Sequence, residues 1–219
     1  MTVTITRLFD DYATASKVVR DLEAAGLPHG EISIVSSNAD NWYTDKAGSR
    51  GTSARDATGR IDRDRDGVDD RAEGAGAGAG VGAALGGAAG LLAGLGLLAI
   101  PGLGPVVAAG WLVSTAVGAA AGATAGGVVG ALTQAGVSEE DAHVYAEGVR
   151  RGGTLVTARV PDKDRGRYEA ILDRSSVNIR DRSAVYRKAG WSKFDEKAAP
   201  YTADQVRRER DLYRTRGAA

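Results

Sequence analysis

Residues 74–100 of the chain read GAGAGAGVGAALGGAAGLLAGLGLLAI, and residues 106–135 read VVAAGWLVSTAVGAAAGATAGGVVGALTQA. Neither run holds a charged residue, although 26% of the 219 residues are charged. Glycine or serine recurs at every fourth position, and on a helix such a stripe lets another backbone approach closely. The predicted helix-packing stripe consists of Gly74, Gly78, Gly82, Gly86, Gly90, Gly94, Gly110, Ser114, Gly118, Gly122, Gly126 and Gly130.

The residues between the two runs, Pro101 to Pro105, read PGLGP and favour a turn. We therefore predict a glycine-zipper helical hairpin over residues 74–137. Each helix would be about 40 Å long at ~1.5 Å per residue, which is enough to cross a hydrocarbon core of roughly 30 Å. Glycine costs a water-exposed helix roughly 1 kcal/mol relative to alanine. The hairpin therefore needs close packing, either in a membrane or in the core of a soluble oligomer.

The segment before the hairpin, residues 1–36, has the periodicities of a β-α-β unit. Residues 2–8 alternate polar and apolar side chains, as a half-buried strand does. Asp10 or Asp11 can cap a helix whose inner face runs from Ala15 to Leu22, and Gly26 ends it. Residues 31–36 predict a second strand.

The segment after the hairpin, residues 138–185, predicts an α-β-α-β sequence. Ser138 begins a helix with a capping-box-like Ser-Glu-Glu-Asp start, and residues 154–160 form the next strand. A helix containing Tyr168 follows, and residues 177–180 are predicted as a fourth strand. Together the two flanks predict an α+β fold, a small ferredoxin-like sheet with helices on one face, split by the helical hairpin.

Residues 37–73 are polar, and we interpret them as a linker. Residues 62–73 within it read DRDRDGVDDRAE, with Gly67 at the sixth position, which is the spacing of a twelve-residue calcium loop. Arg63 and Arg65 would lie beside the ion, so a charged spacer without calcium is the alternative. The predicted metal ligands are Asp62, Asp64, Asp66, the Val68 carbonyl, Asp70 and Glu73.

Composition narrows the classes of function. The 28 basic and 28 acidic residues cancel, which argues against nucleic-acid binding. The absence of cysteine excludes disulfides and Cys-ligated zinc. His29 and His143 are the two histidines, they have no evident partner, and no phosphate-binding loop motif occurs. We therefore expect no enzyme and no cofactor other than calcium, and the sequence identifies no small-molecule substrate.

The N-terminus lacks the basic and apolar pattern of a signal peptide, so we expect a cytoplasmic protein. A membrane hairpin would then place both flanks on the cytoplasmic side. Residues 186–219 form a charged tail with scattered aromatic residues, in which Thr202 can cap a short helix over residues 205–213. Two interpretations stay open for this tail, a solvated chain end and an arm that docks on a neighbouring subunit.

Several of these stretches resemble the bacterial general stress proteins with a heat-induced, YflT-like domain. The resemblance rests on residues 3–11, residues 31–36, the glycine-rich block at 99–110, and the blocks at 136–142 and 150–156. It implies an association with the stress response and implies no catalytic residues.

The sequence therefore favours a non-enzymatic, stress-associated structural protein whose hairpin inserts in a membrane, drives homo-oligomerisation, or does both. The alternative is a soluble homo-oligomeric module with the hairpins packed in its core and a calcium-ordered linker.

Overall fold

The computed structural model describes residues 1–43, 95–113 and 127–217, with side chains as far as residue 213. Within these ranges the strands are β1 (Thr2–Phe9), β2 (Ile32–Ser37), β3 (Gly96–Ile100), β4 (Gly104–Gly110) and β5 (Thr154–Pro161). The α-helices are α1 (Tyr12–Ala24), α2 (Gly127–Gln134), α3 (Glu139–Arg150), α4 (Arg165–Asp173), α5 (Ile179–Lys188) and α6 (Ala203–Gly217). The prediction of an α+β fold is confirmed.

The first β-α-β unit forms for the reasons its sequence indicates. Asp11 is the N-cap of α1, where its carboxylate accepts a hydrogen bond from the backbone N–H of Thr14 at 2.8 Å. Gly26 follows the helix at a φ of 92°, a left-handed conformation that glycine adopts without strain. The buried face of the helix carries Ala15, Ser16, Val18, Val19 and Leu22.

Residues 96–110 form a β-hairpin, so the prediction of helix for this part of the chain is wrong. The turn itself lies where it was predicted. Pro101 and Gly102 occupy its central positions, Gly102 has a φ of 75°, and the N–H of Leu103 donates to the carbonyl oxygen of Ile100 at 3.1 Å. A central Pro-Gly pair with a positive φ at the glycine is typical of a type II turn.

Long-range pairing explains why strands replace helices here. β4 pairs antiparallel with β2, from Ser33 opposite Gly110 to Ser37 opposite Val106, and it pairs with β3 on its other side. These two ladders satisfy the backbone of β4, whereas glycine in a helix costs roughly 1 kcal/mol relative to alanine. Periodicity within the run itself does not reveal a partner strand some seventy residues earlier in the chain.

The five strands form one antiparallel sheet in the order β1-β5-β2-β4-β3. The first unit, β1-α1-β2, places its two strands on either side of β5. The second unit, which runs from β4 through α2 and α3 to β5, places its two strands on either side of β2. The inner strands β2 and β5 are thus the second strands of their units. A ferredoxin-like sheet has the first strand of each unit in the centre, so this order does not confirm the ferredoxin-like prediction.

Helices cover both faces of the sheet, and the prediction of helices on one face is wrong. α1 and α4 pack on one face over Phe9 and Ile34, while α2 and α3 pack on the other over Leu8 and Leu155. The physical reason lies in the strands, because every residue of β2 is buried and both faces of that strand therefore need a cover.

The predicted fourth strand at residues 177–180 is also wrong. Asn178 caps α5 instead, and its side chain accepts hydrogen bonds from the N–H groups of Arg180 and Asp181. Val177 keeps one strand-like contact, since its N–H donates to the carbonyl oxygen of Leu8 at 2.8 Å.

Candidate functional site

Most of the residues predicted as sites lie outside the described part of the chain. This applies to the whole proposed calcium loop, residues 62–73, and to the stripe positions at 74–94 and 114–126. Among the described residues there is no group of three or more His, Cys, Asp or Glu side chains that could hold a metal ion. The calcium site and the central part of the glycine stripe stay predictions.

The two described stripe residues do not lie on a common helix. Gly110 ends β4 with a φ of 98°, and a Cβ there would lie 2.2 Å from the carbonyl oxygen of Ile32. A glycine is therefore required at position 110, because β2 approaches the backbone too closely for a side chain. Gly130 lies in α2, and a Cβ there would meet nothing within 4 Å. Within the described ranges no helix is long and apolar enough to cross a membrane.

The C-terminal segment, which we define as residues 191–213, packs against glycines of the same chain. A Cβ at Gly104 would lie 2.6 Å from Cβ of Pro200, and one at Gly102 would lie 2.7 Å from Cα of Glu196. A Cβ at Gly152 would lie 2.5 Å from Cγ1 of Val206. These glycines permit an approach that a side chain would block.

The interpretation of the tail as a solvated chain end is therefore wrong. Phe194 and Val206 are buried, with 4% and 0% of their surfaces exposed. Thr202 caps α6 through a reciprocal pair of hydrogen bonds, in which Gln205 N–H donates to Thr202 Oγ1 at 3.3 Å and Thr202 N–H donates to Gln205 Oε1 at 2.8 Å. The predicted cap at Thr202 is confirmed, and α6 extends to Gly217.

A buried charge cluster joins α3 to the C-terminal segment, and its centre is Glu147. This side chain is 0% exposed. Nε of Arg151 donates to Glu147 Oε1 at 2.6 Å, and Nη2 of Arg150 lies 2.8 Å from Glu147 Oε2. Arg151 also reaches Glu209 of α6, with Nη1 3.3 Å from Oε1. A carboxylate so far from water is stable only when it is paired in this way.

Aromatic rings enclose the same arginines. Arg151 stacks over the ring of Tyr186 at 4.4 Å from its centroid, and Arg150 lies 5.3 Å from Tyr201 and 5.6 Å from Phe194. Cation–π contacts gain strength where water is excluded. The cluster therefore holds the C-terminal segment through charge pairs and ring faces together.

Ionisation within the cluster follows from its burial and its pairing. Burial opposes the charge on Arg151, but Glu147 outweighs that effect, so the pKa of the guanidinium lies above its ordinary value. Burial raises the pKa of Tyr186 to about 12, against the opposing effects of Arg182 and Arg151. At neutral pH Arg151 is therefore charged and the Tyr186 phenol is neutral, which favours the ion pair with Glu147 and the contact between guanidinium and ring.

His143 lies one turn before Glu147 on α3, close to the C-terminal segment. Its side chain is 14% exposed, and its nearest acidic partner is Glu139, with Nε2 3.7 Å from Oε1. Burial lowers the pKa of the imidazole, and Lys193 of the C-terminal segment lowers it further, against the opposing effect of Glu139. The ring is therefore a neutral part of this interface at pH 7.

The chemistry of the cluster is structural. Its carboxylate is enclosed by two guanidinium groups and closed to solvent, so it has no route to a substrate. A separate hollow of about 380 Å³ lies between α3 and α5. Its wall includes the Arg187–Glu140 ion pair, whose side chains are more than half exposed, so this pair contributes little.

Sequence reasoning missed the buried cluster, although part of its signal is visible. Glu147 stands three and four residues before Arg150 and Arg151, a spacing at which helical side chains meet. It also lies beside the apolar positions Val144 and Ala146 on a helix that must bury one side. The contribution of α6 comes from more than fifty residues later, and no local pattern predicts it.

Comparison with known proteins does not assign the chain to a family. No protein-family model, no curated protein and no solved structure matches the chain.

Proposed function

We propose that the chain is a non-enzymatic structural protein that associates with other copies of itself through its charge-free centre. The stress association that the resemblance implies is part of this proposal. The non-enzymatic part is supported by the buried cluster, because its central carboxylate, Glu147, is closed to solvent and pairs with Arg150 and Arg151.

One contact carries the proposal of self-association. The hydroxyl of Tyr43 donates to the carbonyl oxygen of Leu95 at 3.2 Å, so the chain on either side of residues 44–94 meets at one point. The five described strands pair with one another without a strand from that range. We infer that residues 74–94, with a glycine at every fourth position, serve contacts between molecules rather than the sheet.

Self-association is tested by co-expressing two copies of the full chain that carry different affinity tags. We expect purification through one tag to recover the other copy in lipid-free buffer, and the complex to survive further washing. Recovery of only the tagged copy would refute the proposal. Mixing the two copies after separate purification distinguishes exchange between assemblies from trapping during synthesis.

A second candidate function, association with a membrane, is favoured by the aromatic residues at the same point. Trp42 is 37% exposed, its ring centroid lies 4.5 Å from that of Tyr12, and Tyr43 packs edge-on against it. Trp and Tyr favour the membrane–water interface. In this proposal the charge-free residues 74–94 enter the lipid, and both described flanks stay on the cytoplasmic side.

Flotation of the full chain with neutral phosphatidylcholine vesicles tests the second candidate. We expect flotation with vesicles if lipid is the partner, and loss of flotation when Trp42 is changed to Glu. Trp191 is the control position, because it packs against Tyr186 at the buried interface with ring centroids 5.7 Å apart. A chain that stays at the bottom of the gradient contradicts membrane association. That result does not bear on self-association, which is tested separately in lipid-free buffer.

A further inference from the structure

The two edges of the sheet differ in how they are protected. β1 carries the charged Arg7, and the carbonyl oxygens of Thr6 and Leu8 accept hydrogen bonds from Tyr145 Oη at 2.9 Å and from Val177 N–H at 2.8 Å. β3, at the other edge, consists of Gly-Leu-Leu-Ala-Ile and has no charge and no proline. Among the described residues β3 pairs only with β4. An apolar edge of this kind can pair with a strand of another chain.

The ladder register identifies which groups of β3 face outward. The N–H of Asn38 donates to the carbonyl oxygen of Pro105 at 2.8 Å, so the odd-numbered residues of β4 direct their backbone groups towards β2. The even-numbered residues of β4 therefore bond to β3, where they lie opposite Gly96, Leu98 and Ile100. The N–H and C=O groups of Leu97 and Ala99 consequently point away from the sheet.

Leu95 has the same parity as Leu97 and Ala99, and its carbonyl oxygen already accepts the hydroxyl of Tyr43. Pro101 has no N–H to offer. The outward edge of β3 is thus limited to two residues, each with one donor and one acceptor. This short edge has a defined centre at Leu98.

We propose that β3 pairs antiparallel with β3 of a second copy, about a two-fold axis that passes beside Leu98. Leu97 then lies opposite Ala99 of the second copy, and the four outward N–H groups of the two chains meet the four outward carbonyl oxygens. No register shifted from this centre satisfies all eight groups. A self-complementary patch is what a two-fold dimer needs. This inference rests on the proposed self-association and adds a contact at β3 to those proposed for residues 74–94.

The side chains of the edge are compatible with a second copy. Residues 95–113 contain no charged residue, so no like charges face each other across the axis. Leu97 is 41% exposed, a large fraction for leucine, and pairing would cover it. Leu98 packs partly against the core on the other face, and it would meet Leu98 of the second copy there.

Single-cysteine cross-linking tests the register, because the natural chain has no cysteine. Residues directly opposite in a non-hydrogen-bonded pair have Cα atoms about 4.5 Å apart, which is within the range a disulfide spans. Diagonal residues are roughly 7–8 Å apart, which is beyond that range. We therefore expect Leu98→Cys to form a disulfide-linked dimer under mild oxidation about tenfold faster than Leu97→Cys.

The control positions make the outcome decisive. Leu97 is the adjacent residue, and its side chain is more exposed than that of Leu98. Random collision between molecules would therefore cross-link Leu97→Cys faster, which is the opposite of the result that the proposal predicts. Leu212→Cys on α6, where the leucine is 51% exposed, gives the background rate. Equal rates for Leu97→Cys and Leu98→Cys, or rates no higher than that of Leu212→Cys, overturn the proposal.

A charge on the edge gives a second, independent readout. Leu97→Lys places a cation at an exposed position of β3, where it disturbs the monomer little, and we expect it to shift the assembly towards monomer. An unchanged assembly overturns the pairing of β3 while self-association stands. A monomeric wild-type chain, in which another part of the same chain covers the edge of β3, overturns both the pairing of β3 and the proposed self-association.

Discussion

The hydroxyl of Tyr43 donates to the carbonyl oxygen of Leu95, 3.2 Å away, and joins the described chain on either side of residues 44–94. The neighbouring Trp42 donates from Nε1 to the carbonyl oxygen of Ser37 at 2.8 Å. These two contacts hold the chain that follows β2 beside the start of β3. The chain consequently leaves the sheet and returns to it at one place.

Replacement of Tyr43 by Phe removes this hydrogen bond and keeps the ring. We expect the free energy of unfolding in urea to fall by about 0.5–1.5 kcal/mol, the usual net worth of one hydrogen bond. Tyr12→Phe is the matched control, because no hydrogen bond of the Tyr12 hydroxyl occurs among the described residues, and its ring lies in the same aromatic group. Equal effects of the two substitutions would show that the Tyr43 hydroxyl does not hold this junction.

The approach of the C-terminal segment to the β3–β4 turn predicts a specific cost for a side chain at Gly104. Both Gly104 and Gly136 have a positive φ, but only Gly104 has Pro200 where a Cβ would lie. Gly136→Ala therefore measures backbone strain alone, roughly 1–2 kcal/mol. We expect Gly104→Ala to lower the free energy of unfolding by about 1–3 kcal/mol more than that. Similar losses for both variants would place the C-terminal segment elsewhere.

The buried carboxylate predicts a large effect for Glu147→Gln, which keeps the shape and removes the charge. Arg150 and Arg151 then lose the anion that compensates them, and breaking a buried pair typically costs about 3–5 kcal/mol. Glu169→Gln is the control, since its ion pair with Arg165 lies on the surface of α4 and contributes at most about 1 kcal/mol. Urea unfolding of both variants measures the two losses of unfolding free energy. A loss no greater for Glu147→Gln than for Glu169→Gln contradicts the assigned role of the cluster.

His143 predicts a pH dependence of stability. The groups that face it are Glu139 on its own helix and Lys193 and Glu196 on the C-terminal segment, and burial is the main cause of its lowered pKa. Below the ordinary value of 6.5 the unfolded chain binds a proton that the folded chain does not. Stability from this group is therefore present above pH 6.5 and is lost as the pH falls.

We expect the difference in unfolding free energy between the wild type and His143→Gln to shrink as the pH is lowered from 7.5 towards 5.5, a window of about one pH unit on each side of the ordinary pKa of histidine. His29→Gln is the control for the loss of a histidine as such. A difference that is constant with pH, or one that grows on acidification, would contradict the burial of a neutral His143.

The parts of the fold that follow local rules were predictable from the sequence. Alternation gave β1, and the caps at Asp11 and Ser138 with their apolar faces gave α1 and α3. Pro101 and Gly102 marked the turn correctly. In each of these cases the determining interaction lies within about four residues, which is the range that periodicity and capping report.

The strands β3 and β4 were not predictable in the same way. Spacing of glycines by four residues fits a helical stripe, yet residues 96–110 gain more from pairing with β2 across a long sequence separation. A Cβ at Gly110 would meet the carbonyl oxygen of Ile32, so the role of this predicted stripe residue is close approach to a distant strand rather than helix packing. The buried Glu147 depends in the same way on α6, and a single sequence carries no record of that contact.

Sedimentation equilibrium of the full-length wild-type chain, in lipid-free and detergent-free buffer over a range of concentrations, tests the central claim most directly. Self-association predicts a mass of at least twice the 22.5 kDa of the chain, with the monomer appearing only on dilution. A mass of 22.5 kDa at every concentration would contradict it.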